Sequence, residues 1–194
     1  AKARLDEHRN EQIEQALDGY RALRSRQTSY EGELQVHQDQ LDTFQSLCSR
    51  RDRLTGELSA ARADYAAYAA PETTPDMTQC NKLSLRVSSL ERELASVSQD
   101  LSGLVDQANR YSRSQRQYAA YLESTDQGGY AAYEYQEPLT YTQENFVSET
   151  SGMIRRMDAG VRQWRERVSS YCGTYGLTPY DVECYLQERR KLAD

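Results

Sequence analysis

LSLRVSSLERELASVSQDLSGLVDQANRYSRSQRQYAAYL, residues 83–122, decides the fold. Read at alternating steps of four and three residues, it aligns Leu83, Val87, Leu90, Leu94, Val97, Leu101, Leu104, Ala108, Tyr111, Gln115, Tyr118 and Leu122. Every position on that line except Gln115 is apolar or aromatic, and the residues between are mostly Ser, Gln, Arg, Glu and Asp. A 3.5-residue repeat held over this length marks a helix whose narrow apolar seam faces another helix. The lone amide, Gln115, reads as a register device, because one buried polar side chain fixes alignment at some cost in stability.

Upstream lies the partner that such a seam needs. Residues 70–80, APETTPDMTQC, break any helix through Pro71 and Pro75. Before them a first helix is expected over 6–69. Its inward line runs Ile13, Leu17, Tyr20, Leu23, Gln27, Tyr30, Leu34, His37, Leu41 and Phe44, then Leu47, Arg51, Leu54, Leu58, Ala61, Tyr65 and Tyr68. The two halves do not share one heptad frame: near Cys48 the phase jumps by about three residues, which overwinds a coiled coil or shifts the contact face. Gly56 and the Arg50–Arg53 cluster are where this helix would break if it broke at all. A short connection between two seamed helices implies an antiparallel hairpin, with the second helix over 81–124.

Downstream, a Gly- and Tyr-rich loop over 126–140 precedes a third helix over 141–171, with Thr140 and Gln143 as its capping box. Its seam is Val147, Thr150, Ile154, Met157, Val161, Trp164, Val168 and Tyr171. Gly173 is placed to close that helix. Thr178, Pro179 and Asp181 open a last short helix over 179–193, turning Val182, Tyr185, Leu186 and Leu192 inward. The expected architecture is all-α: a single elongated antiparallel bundle or coiled-coil hairpin over 1–194, with three long helices and a short C-terminal one. The first helix carries more seam than the second can cover, so self-association or another protein partner is expected.

The net charge of −6 argues against general binding to nucleic acid or an anionic membrane. No apolar run is long enough to span a bilayer. Cys48, Cys80, Cys172 and Cys184 form no CxxC pair, and with only His8 and His37 to assist them a metal site is not expected. Cys172 and Cys184 flank a turn between consecutive helices and are the candidate disulfide. A Cys48–Cys80 bridge would require the first helix to break, because roughly 30 Å of helix separates Cys48 from the turn. The first residue is Ala1, and the reading leans towards an exported, processed protein of the periplasm, cell envelope or extracellular space, with the cytoplasm as the alternative.

No phosphate-binding loop, zinc-protease, nucleophile-elbow or calcium-loop motif occurs in the sequence. His37 falls on the inward line of the first helix, where a packed imidazole is the simpler reading. No catalytic residue and no cofactor is expected. Two features suit protein binding. Tyr130, Tyr133 and Tyr135 lie in the Gly-rich loop, and exposed tyrosines among Gly, Ser and acids make adaptable contact surfaces. Arg155, Arg156 and Arg162 lie off the seam of the third helix, and from Tyr141 to Asp194 basic and acidic residues balance at eight each. The function expected is a non-enzymatic scaffold or adaptor subunit of a larger assembly. The alternatives are a secreted surface protein binding through the Tyr-rich end, and a cytoplasmic coiled-coil chaperone or regulator.

Overall fold

The computed structural model of the chain describes residues 2–69, 76–124 and 140–193, with side chains over 7–69, 76–117 and 140–192. The fold is all-α. Its helices are α1 (Lys2–Tyr68), α2 (Met77–Ser124), α3 (Phe146–Thr174) and α4 (Pro179–Ala193). α1 runs unbroken through Gly56 and the arginine cluster, each of those arginines meeting a carboxylate: Arg50 with Glu93, Arg51 with Asp52 and Arg53 with Glu57. Contacts divide the chain into two compact units, Asp39–Ser151 and Ala1–Gln38 with Gly152–Asp194. The contact set of α1 therefore changes between Gln38 and Asp39, upstream of the phase jump read at Cys48.

In the Asp39–Ser151 unit, Arg62 of α1 bonds Glu91 of α2 at 2.7 Å. Phe44 meets a segment that is itself held on Asn109, so α1 and α2 run antiparallel. Leu54, Leu58 and Ala61 of α1 share a core with Leu90, Val97, Leu101 and Ala108 of α2. Asp76 caps α2: its carboxylate accepts the Thr78 N–H and its carbonyl accepts that of Cys80. Near Ala108 the core is closed by aromatic rings, with Phe146 stacked on Phe44 at 4.2 Å and Tyr141 tilted against Phe146 at 5.7 Å. Fully burying a ring of this size contributes about 1.5–3 kcal/mol.

Several inward assignments change here. α3 starts at Phe146, not at 141, and its cap is Asn145 with Thr142, not Thr140 with Gln143. The Asn145 side chain accepts the Thr142 N–H and the Thr142 hydroxyl accepts the Asn145 N–H. That start buries Phe146 completely and leaves Val147 at 38% exposure. Gln115 is exposed, so it is no buried register device: a solvated amide avoids the cost of burial without partners. Tyr65 and Tyr68 stand at 40% exposure at the end of α1. Tyr118 and Leu122 fall outside the described side chains.

In the other unit, Ile13, Ala16, Leu17 and Tyr20 of α1 pack with Val168 and Cys172 of α3, Val182 of α4 and the linking Leu177. Two glycines set the spacing of α1 and α3. A Cβ on Gly19 would meet the Tyr171 hydroxyl, and one on Gly160 would lie 2.8 Å from the Tyr30 ring. That ring sits 6.2 Å from Trp164, whose other neighbour is the Arg167 guanidinium at 4.7 Å. α3 ends in a Schellman motif, in which Leu177 N–H bonds the Cys172 carbonyl and Gly176 N–H bonds that of Gly173. The left-handed residue is thus Gly176, at φ 68°, and not Gly173. The α4 capping box forms as read: the Asp181 carboxylate accepts the Thr178 N–H at 2.8 Å, and the Thr178 hydroxyl accepts the Asp181 N–H at 3.3 Å. Leu192 is 88% exposed and contributes nothing to the core.

Candidate interaction surface

Tyr130, Tyr133 and Tyr135 lie outside the described residues. Of the arginines assigned to binding, Arg155 is exposed and Arg156 is half-buried with a guanidinium nitrogen 3.9 Å from the Met153 sulfur. Arg162 is held by Asp158 one turn earlier, at 3.1 Å. They share a helix but do not converge on a common point. The remaining α3 arginines are engaged within their own unit: Arg165 bonds Glu31 and Arg167 covers Trp164.

A polar belt that the heptad reading missed ties α4 to α1. Arg9 bonds Asp181, and Tyr185 and Arg189 both donate to Glu14. The Tyr20 hydroxyl donates to Glu183 at 2.5 Å, with Arg24 3.7 Å from the same carboxylate. Glu31 completes the belt, accepting from Gln27 at 2.9 Å and Arg165 at 3.2 Å. The electrostatics follow from these partners. Burial, reinforced by the Glu183 carboxylate, pushes the Tyr20 phenol far up. The Gln27 amide, then Arg165 and Arg24, hold Glu31 below the usual carboxylate range against the opposing effect of burial. The Thr178 N–H and hydroxyl, then Arg9, do the same for Asp181. A matched set of this kind holds the helices in place.

No disulfide is seen among the four cysteines, Cys172 and Cys184 included. Cys172 is buried among apolar side chains, where burial raises its thiol. Cys184 instead meets the Tyr180 hydroxyl, and that hydrogen bond raises the phenol. With α1 unbroken, Cys48 and Cys80 stay apart, as the helix length requires. His37 is buried, in line with a packed imidazole. Among the described residues no cluster of His, Cys, Asp and Glu could hold a metal, and no helix is long and apolar enough to cross a membrane.

What the surface offers another macromolecule is apolar side chains on helix faces. Met77 and Leu85 of α2 are 67% and 68% exposed, and Tyr180 of α4 is 76% exposed. The α1–α2 seam is also incompletely covered: Leu83, Val87, Leu94 and Leu104 are only half-buried. Along α2 these part-exposed side chains interleave with the buried Leu90, Val97, Leu101 and Ala108, so the pair covers its seam in part. Compared with protein-family models, curated proteins and solved structures, the chain matches none of them.

Proposed function

We propose that the chain is a non-enzymatic structural and interaction protein, a helical scaffold or adaptor subunit of a larger assembly in the cell envelope or outside the cell. The observation that carries the reading is the half-open seam of the α1–α2 pair. Leucines and a valine that a third helix would bury remain part-exposed along it. An apolar helix from another chain fits such a groove through i, i+3, i+4 and i+7 anchors. The loop tyrosines Tyr130, Tyr133 and Tyr135, with Arg155, Arg156 and Arg162, are secondary contact candidates on this reading.

One observation favours a second setting. Cys172 is a thiol in an apolar core, an arrangement suited to a reducing compartment, so a cytoplasmic adaptor of the same kind is the second reading. The test common to both is site-specific photo-crosslinking in cells that make the protein, with a benzophenone side chain placed at Leu85 or at Gln115, both exposed. Discrete adducts with protein chains are expected from at least one position. A chain that stays unlinked at both would overturn the reading.

A further inference from the structure

We infer that the outward face of α2 seats a second copy of this chain, packed antiparallel about a two-fold axis level with Ala108. The inference rests on the scaffold reading and adds to it one partner and one surface. Its residues are Gln99, Gly103, Asp106, Arg110, Arg113 and Gln117, all exposed. They recur at alternating steps of four and three, so they form one line along the helix, on the side away from the buried Leu101 and Ala108.

The order of residues on that line is self-complementary. It is evenly spaced on either side of Ala108, so an antiparallel two-fold neighbour sets Asp106 against the second copy's Arg110, and Arg110 against its Asp106. The same operation sets each Arg113 against Gly103 and each Gln99 against Gln117. Opposite charges meet twice, a long side chain meets a position without one, and amide meets amide. Packed parallel in register, the two helices would instead bring Asp106 to Asp106 and Arg110 to Arg110, which like charges disfavour.

Two facts show that the charges are available. Asp106 and Arg110 are one turn apart, yet neither they nor Arg113 forms an ion pair with any described residue, whereas the arginines of α1 near the same hairpin are paired. Around Gly103 nothing lies within 4 Å of where a Cβ would stand, which leaves room for a guanidinium. The contact is polar and exposed at its edges, so the association is weak and salt-sensitive.

Analytical ultracentrifugation of the full chain tests this, using the natural sequence, Asp106→Arg, Arg110→Asp and the double exchange, each at low and high salt. Reversible dimers weakened by salt are expected for the natural chain. Each single reversal should lower the association constant about tenfold, since each affects two pairs. The double exchange recreates both pairs in the opposite sense and should restore association. Asp106→Asn and Arg110→Gln, which remove charge without reversing it, should weaken it too, and circular dichroism should show every variant folded. Single reversals that associate like the natural chain, or a double exchange no better than either, would overturn the surface. So would a natural chain that is monomeric throughout. In all three cases adducts with another protein in the cell would leave the scaffold reading standing.

Discussion

Replacing Asn109 by Ala removes the clasp that returns the chain to α2. The Asn109 side chain accepts the Tyr141 N–H at 2.8 Å and donates to the Tyr141 carbonyl at 2.9 Å. This backbone-like pairing holds Tyr141 5% exposed against the fully buried Phe146. A hydrogen bond contributes about 0.5–1.5 kcal/mol net, and a buried group deprived of its partner costs about 1–3 kcal/mol. The site is only partly buried, so the lower end applies to each of the two groups, and Asn109→Ala should destabilise the Asp39–Ser151 unit by about 2 kcal/mol. Asn109→Asp keeps the acceptor for the Tyr141 N–H but sets a carboxylate against its carbonyl, and should retain less than half the stabilisation. Urea unfolding followed by circular dichroism gives the loss, and hydrogen exchange at the Phe146–Glu149 amides localises it. An Asn109→Ala variant within about 0.5 kcal/mol of the natural chain, with unchanged exchange there, would refute the clasp.

Three other perturbations have signs fixed by the structure. Gly56→Ala lies at an exposed mid-helix position with open space around it, and should stabilise by about 0.5–1 kcal/mol in the same urea assay. Gly160→Ala would drive its methyl into the Tyr30 ring and should destabilise by about 1–3 kcal/mol, with a change in Trp164 fluorescence as the ring moves. Asp181 has a folded-state pKa below its unfolded value, so its stabilisation is present above the unfolded value and is lost as pH falls through the folded one. Unfolding of Asp181→Asn measured from neutral to acid pH should therefore show a stability difference from the natural chain that shrinks as pH falls.

The long helices were legible because their stripes are long. Leu54, Leu58, Leu90, Val97 and Leu101 lie where a 3.5-residue repeat places them, and so do Val161, Trp164 and Val168. What escaped the repeat depends on where a helix starts or how many neighbours it has. The Thr142–Asn145 cap moved the start of α3 to Phe146, a residue off the seam as first read. The two phenylalanines of the chain, Phe44 and Phe146, were themselves an overlooked signal: the bulkiest fully apolar rings stack on each other. Tyr65 and Tyr68 sit on the seam yet remain part-exposed, because a repeat specifies direction and burial requires neighbours. The α1–α4 polar belt was illegible because Arg9–Asp181 and Tyr20–Glu183 join residues far apart in sequence, and no local spacing announces such pairs. The part-exposed seam was least legible, since the open side of a helix pair is defined only by what fails to cover it.

On the scaffold reading this chain works as a subunit held among other protein chains. The test is the native mass of the endogenous protein in a gentle, undiluted extract, measured by light scattering after size separation and set against the mass of the same protein under denaturing conditions. A species several times that mass is expected, collapsing towards the single chain when the contacts are disrupted. A protein that runs at the mass of one chain in the extract itself would contradict it.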